Sequence, residues 1–207
     1  REKDNFMKVY PNSNLRGTIT NLTTNMYIES GDTDKAIESL NNSSSNTDDV
    51  AVKETNTTKI ITLKLQKKDY KDIEKYIAEL PTEEERAYYS AQYYAAKKDP
   101  KAVKEYEALL QYDKYKAYAS KGLGDYYFDK KDLSKAKKYY GDYATVNKNP
   151  DEYILYRLGQ ANEKENNLKM ALTDYKAVYS KNGKLANDAM LRAAEIYDKQ
   201  ENVVEAE

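Results

Sequence analysis

Residues 123–140 read Leu-Gly-Asp-Tyr-Tyr-Phe-Asp-Lys-Lys-Asp-Leu-Ser-Lys-Ala-Lys-Lys-Tyr-Tyr, and the placement of Gly124, Ala136 and Tyr140 within that stretch recurs along the chain. Ala102, Ala136, Ala171 and Ala206 lie 34, 35 and 35 residues apart. Twelve residues before each stands a small residue, Ser90, Gly124, Gly159 or Ala194, and four residues after the first three stands Tyr106, Tyr140 or Tyr175. A period near 34 with small residues at fixed places predicts antiparallel helix pairs stacked in series, because one pair cannot bury its apolar face without neighbours. The small residues mark close helix crossings, where a large side chain would push the axes beyond about 8–10 Å. The tyrosines fill the gaps between helices and can send their hydroxyls to water or a carbonyl. Punctuation agrees: Asp99-Pro100 gives an N-cap and a proline at the first helical position, Thr82 with Glu85 forms a capping box, and Asp132 caps the helix that carries Ala136.

This register resembles the tetratricopeptide repeat, whose pattern runs W-x2-L-G-x2-Y, then A-x3-F, then P. Leu123-Gly124, Tyr127, Ala136, Tyr140 and Pro150 fill those places in order. The next unit has Leu158-Gly159, Ala171 and Tyr175, with Asn162 in place of the first tyrosine. Upstream, Tyr89-Ser90 and Tyr93 lead to Ala102 and Tyr106; downstream, Ala193-Ala194 and Tyr197 lead to Ala206. Arg86, Ser120, Leu155 and Met190 stand in the tryptophan place. The resemblance implies an all-α, right-handed α-solenoid of antiparallel helix pairs over residues 1–207. Its units are 17–50, a divergent 54–82, 83–116, 117–150, 152–185 and a partial 187–207, with 1–14 the end of a preceding helix.

The first third matches less closely. Tyr27, Gly31, Ala36 and Leu40 repeat the spacing, whereas residues 41–47 (Asn-Asn-Ser-Ser-Ser-Asn-Thr) are rich in turn formers and read as a mobile loop. In the divergent unit Ile73 takes the alanine place, 37 and 29 residues from Ala36 and Ala102, and a short hairpin around residues 57–65 is the competing reading.

Composition narrows the functions. Neither cysteine nor histidine is present, which removes disulfides, thiolate nucleophiles, imidazole bases and the usual zinc sets. The 34 basic and 35 acidic residues are mixed along the chain, so no clustered positive charge tracks phosphates and nucleic acid is not an expected partner. No apolar run is long enough to span a membrane. Asn21-Leu22-Thr23, Asn42-Ser43-Ser44 and Asn56-Thr57-Thr58 match the glycosylation acceptor as chance allows in so asparagine-rich a chain. Glu83-Glu84-Glu85 suits a helix's first turn, Asp125 and Asp129 lack a catalytic or metal-binding companion, and Gly122-Leu123-Gly124 follows no strand and reads as helix packing. No catalysis, cofactor or metal is expected.

The resemblance implies that the first helix of each unit lines a concave groove, here with Ala91, Tyr94 and Ala95, then Tyr118, Lys121, Asp125, Phe128 and Asp129, then Tyr153, Tyr156, Gln160 and Glu163. The partner-binding set drawn from these is Tyr94, Tyr118, Lys121, Asp125, Phe128, Asp129, Tyr153, Tyr156 and Gln160. The expected partner is a protein or peptide, since exposed tyrosines give large contact area at low entropic cost. Relatives that clamp a chaperone's terminal carboxylate need an asparagine where Asp125 stands, so that role is not implied. Residues 6–13, ending Tyr-Pro-Asn-Ser, and the segment 178–183 are similar to repeat links of bacterial envelope tetratricopeptide proteins, implying a periplasmic or outer-membrane-associated scaffold; a cytoplasmic adaptor or sensor is the alternative. The chain is further expected to be part of a longer array, and to be able to form a homodimer through exposed terminal helices.

Overall fold

The structure, a computed structural model, describes residues 5, 6, 9, 10 and 15–205. The expectations at Pro11, Asn12, Ser13 and Ala206 lie outside those residues. The described chain is all-α, with eleven helices from residue 15 onward and no strand among the described residues. They are α1 (Leu15–Glu29), α2 (Thr33–Ser45), α3 (Val50–Lys67), α4 (Ile73–Ala78), α5 (Glu83–Ala96), α6 (Lys101–Leu109), α7 (Asp113–Asp129), α8 (Leu133–Val146), α9 (Glu152–Lys164), α10 (Leu168–Tyr179) and α11 (Ala186–Glu205). The chain forms two compact units, Arg1–Ala102 and Val103–Glu207, with α6 running across the division.

Helices pack in chain order within each unit. In the first, α1 packs on α2, α2 on α3, and α3 on both α4 and α5. Ala36, Leu40, Ile60 and Leu63 form one buried cluster there, and Ile61, Ile73, Ile77, Leu80 and Tyr93 a second. In the second unit α7 pairs with α8 and α9 with α10, and α8–α9 and α10–α11 contacts join the pairs. Ala136 and Tyr140, then Ala171 and Tyr175, are completely buried. The tyrosine lies where glycine leaves room: a Cβ on Gly124 would stand 2.5 Å from the Tyr140 ring, and one on Gly159 2.7 Å from the Tyr175 ring.

Two expectations for the first unit are corrected. Residues 41–45 continue α2 rather than forming a loop. Asn41 donates to the Tyr76 hydroxyl at 3.3 Å and Asn56 donates to the Ser44 hydroxyl at 3.1 Å, so tertiary bonds to α4 and α3 override the weak helix preference of Asn and Ser. The competing hairpin is also excluded, since α3 covers residues 57–65. Asp49 caps it by accepting from the Ala51 and Val52 N–H groups, and Ile60 and Ile61 bury its inner face.

One turn geometry closes the first helix of every pair. Gly31, Lys68, Lys98, Lys131 and Asn166 each have a left-handed backbone with φ between 57° and 77°. Each donates its N–H to the carbonyl three residues back. The next residue, Asp32, Asp69, Asp99, Asp132 or Asn167, donates to the carbonyl five back at 2.8–2.9 Å. This doubly bonded ending satisfies carbonyls a helix terminus otherwise leaves bare. The following acid often starts the next helix as well: Asp132 accepts from the Lys135 N–H, and Asp99 from the Lys101 N–H at 2.9 Å. Because a side chain in the left-handed region costs about 1–2 kcal/mol, Lys131→Gly is expected to stabilise the protein by about 1 kcal/mol. A rise in the urea midpoint at unchanged slope checks this; a fall would show that Lys131 contributes contacts which the turn geometry does not explain.

Candidate functional site

Two stripes of side chains face one another across α7 and α9. The α7 stripe comprises Lys121, Asp125 and Phe128, and the α9 stripe Tyr153, Arg157, Gln160 and Lys164; the three- and four-residue steps place each set on one helix face. Asp125 is the hub. Its Oδ1 accepts from the Tyr140 hydroxyl at 2.7 Å and from the Tyr153 hydroxyl at 2.8 Å, tying α8 and α9 to α7. Tyr153 Oη in turn accepts from Arg157 Nε at 3.0 Å. The Arg157 guanidinium lies 4.4 Å from the Phe128 ring centroid and 5.2 Å from that of Tyr153, and Lys164 Nζ lies 4.7 Å from Phe128. Lys121 Nζ sits 4.6 Å from the Tyr153 centroid and 4.0 Å from Asp151, whose carboxylate also caps α9 and accepts from Tyr143.

Burial, reinforced by the Asp125 charge, pushes the Tyr140 hydroxyl far above its ordinary 10. Burial likewise pushes Tyr153 up to about 12, with Asp125 adding to the rise and Arg157 opposing it. Tyr153 therefore stays protonated, so one oxygen can donate to Asp125 and accept from Arg157 together. Burial works against the Arg157 charge, but the Tyr153 bond and the nearby Tyr140 and Asp125 outweigh it and raise its pKa. Tyr175 follows Tyr140: burial comes first, then its 2.7 Å bond to Glu163, and its pKa is raised far.

Three tyrosines with raised folded-state values set a sign. Their protonated forms contribute stability fully below the unfolded value of about 10, and that stability is lost as pH climbs from 10 through about 12 for Tyr153 and higher still for Tyr140 and Tyr175. Unfolding midpoints are thus expected to fall steeply above pH 10, and Tyr140→Phe should flatten that fall. An equally steep alkaline limb in the phenylalanine variant would assign the effect elsewhere.

The predicted binding residues divide between the units. Tyr94 belongs to the first, where it is half-buried beneath Lys101 Nζ at 5.4 Å and donates to Glu74 at 3.3 Å; Ala91 is fully buried and Ala95 exposed. The other eight lie in the second. Lys121, Asp125, Phe128, Tyr153 and Gln160 meet in the stripes just described. Tyr118 stacks at a tilt on Tyr106 at 5.6 Å, Asp129 is exposed, and Tyr156 packs on Tyr175 at 5.6 Å, next to the Glu163–Arg192 ion pair at 3.8 Å. Phe128 is buried, covered by two cations, so a ligand would meet Arg157 and Lys164 before the ring. Neither cation was singled out in the sequence. The three- and four-residue steps onward from Tyr153 were the signal that could have found them. No group of three or more acidic side chains able to hold a metal occurs among the described residues. No described helix is long and apolar enough to cross a membrane.

No family model and no curated protein matches the chain. Among solved structures, the TPR2AB domain of yeast Sti1 in its complex with pHSP90 is similar in arrangement: 17% identical, covering 95% of this chain and 90% of that one, with a TM-score of 0.46.

Proposed function

We propose that this chain is a non-catalytic scaffold that holds a peptide or protein partner across the α7–α9 face. The observation that carries the reading is the pair of facing stripes, where aromatic rings, cations and one carboxylate are fixed by one another while Lys121, Asp125, Tyr153, Arg157 and Gln160 remain half-exposed. A surface ordered before its ligand arrives spends little of the binding energy on ordering itself. The residues we assign to the partner are Tyr118, Lys121, Asp125, Phe128, Asp129, Tyr153, Tyr156 and Gln160 in the second unit; Tyr94, in the first unit, is assigned to partner contact by itself. Capture of a partner by the full chain, followed by affinity measurement, tests this. Tyr118→Ala and Tyr156→Ala should each weaken binding by more than about 2 kcal/mol while the helical spectrum is retained. Unchanged affinity in both variants would move the binding surface elsewhere.

The similarity of residues 6–13 and 178–183 to envelope-protein repeat links supports a bacterial periplasmic or outer-membrane-associated setting. Recovery from the periplasmic fraction of the source cell checks this, and recovery only from cytosol favours the adaptor alternative. Exposed Leu15, Leu22 and Met26 on α1, and Met190, Leu191 and Tyr197 on α11, favour self-association as a second reading. A monomer by light scattering would remove it.

A further inference from the structure

We infer that Asn182 is a site of spontaneous covalent modification, in which the Gly183 nitrogen attacks the Asn182 side-chain amide and water reopens the ring so formed. Asn182-Gly183 is the one Asn-Gly pair in the chain. Packing holds each residue in place. Asn182 lies in the link between α10 and α11 with φ 53°, in the left-handed region that asparagine tolerates better than most residues with a Cβ, and its N–H donates to the Tyr179 carbonyl at 3.1 Å. Gly183 lies against the Glu152 carboxylate of α9, where an added Cβ would collide with Oε2. Glu152 Oε1 accepts from the Lys184 N–H at 3.0 Å and Oε2 from the Leu185 N–H at 3.2 Å. That carboxylate therefore clamps the lead-in to α11 onto α9.

The bonds around the pair leave its reacting atoms free. The N–H groups of Lys181, Asn182, Lys184, Leu185 and Ala186 all have acceptors, whereas that of Gly183 has none among the described residues. Both residues are exposed and lie outside the helices, so no helical bond holds the Gly183 nitrogen away from the side chain. With no Cβ on Gly183, nothing on that residue crowds the approach of its nitrogen to Asn182 Cγ. Hydroxide takes the Gly183 N–H proton as the N–Cγ bond forms, the bond from Cγ to the side-chain nitrogen breaks, and ammonia leaves. A five-membered succinimide remains. Water opens it at either carbonyl, giving aspartate in the original backbone or isoaspartate, whose main chain runs through the side chain and is one carbon longer. In sum, one amide and one water become a carboxylate and ammonium, with no oxidant required. The new charge arises one residue from the Gly183–Glu152 contact, where like charges repel, and the longer backbone of isoaspartate displaces the Lys184 and Leu185 N–H groups from the clamp. α11 then keeps its Arg192–Glu163 ion pair and the packing of Ala189, Ala193 and Ile196 on Tyr175 and Val178. The pair is thus a slow, irreversible release of the clamp between α9 and the start of α11, favoured by alkali.

The full chain is incubated at neutral and mildly alkaline pH in oxygen-18 water, beside the peptide acetyl-Lys-Asn-Gly-Lys amide. Peptide mapping with fragmentation that separates aspartate from isoaspartate follows Asn182. Conversion is expected on the time scale of the peptide, faster at alkaline pH, with one heavy oxygen incorporated and isoaspartate as the major product. Hydrogen exchange at the Lys184 and Leu185 N–H groups should lose its protection in the converted chain, while Ala136 and Tyr140 in the core keep theirs. Asn182→Gly accepts φ 53° and has no amide to attack, so it should keep the clamp through the same incubation. An Asn182 still intact once the peptide has reacted completely overturns the inference, because the fold then shields the pair. Conversion with full protection retained at Lys184 and Leu185 overturns the release of the clamp. Equal loss of protection in incubated Asn182→Gly does so too, by assigning the loosening to another cause.

Discussion

Tyr140→Ala is expected to lower the melting temperature of the second unit by more than about 10 °C, because emptying a buried aromatic site costs about 3–5 kcal/mol and each kcal/mol shifts a domain of this size by several degrees. The ring is completely buried against Gly124, within a cluster containing Phe128, Ala136, Ile154 and Ala161. Its hydroxyl is one of two donors on Asp125 Oδ1, so truncation also leaves that half-buried carboxylate with Tyr153 alone. Tyr140→Phe separates the two contributions. It keeps the ring and loses only the bond, for an expected cost of about 1–3 kcal/mol to a charged acceptor. Thermal unfolding of the three proteins at neutral pH checks the order parent, Phe, Ala; an alanine variant as stable as the phenylalanine one would mean that the site collapses around the missing ring.

The Arg157 Nε–H signal, resolved by nitrogen-15 NMR, offers a separate reading of the same network. If Asp125 and Tyr153 hold the guanidinium in place, Tyr140→Phe should disturb the Arg157 Nε–H signal little, since Tyr153 still bridges the carboxylate and the arginine. Loss of Tyr153 should disturb it strongly.

What the residues disclosed in advance follows from how burial leaves its mark. Gly124, Ala136 and Tyr140 were legible because each place admits one size of side chain, and a size constraint repeated at a fixed period survives as identity. Asp132 and Thr82 were legible because their roles are local, completed within three residues of chain. The helical state of residues 41–45 was not, since Asn and Ser there are held by Tyr76 and Asn56 far along the sequence. Nor was the pairing of Arg157 with Phe128: the four-residue step from Tyr153 marks the face on which the arginine lies, but the ring it meets belongs to another helix.

A departure from the repeat shows how one unit can replace another's chemistry. In the α7–α8 pair Tyr127 stacks on Tyr139 at 5.6 Å with planes 7° apart. In the α9–α10 pair the same two places hold Asn162 and Asp174, and the Asn162 amide donates to the Asp174 carboxylate at 2.8 Å. Asn162 departs from the chain's own repeat pattern, and its compensating partner became visible only once the two helices were set side by side. The exchange has an electrostatic consequence: burial raises the Asp174 pKa, opposed by its Asn162 bond, where the tyrosine pair introduces no formal charge.

Gly124→Ala is expected to destabilise by about 1–3 kcal/mol, the usual result of forcing atoms into a packed core. Helix preference alone predicts the opposite, because alanine in a helix interior is favoured over glycine by about 1 kcal/mol. Packing should prevail: the added Cβ would stand 2.5 Å from two carbons of the Tyr140 ring, which is buried on all sides and bonded to Asp125 through its hydroxyl. The ring cannot move aside without breaking that bond or disturbing Ile154 and Ala161 in the same cluster. The decisive measurement is the same substitution made in Tyr140→Ala. With the ring gone the collision is gone, and Gly124→Ala should become stabilising by about 1 kcal/mol, a reversal of sign that only direct contact between the two places produces. Gly159 stands in the same relation to Tyr175, since a Cβ there would lie 2.7 Å from its ring, and should behave alike. Equal losses in the parent and in Tyr140→Ala would show that Gly124 is required for its backbone and not for the tyrosine packed over it.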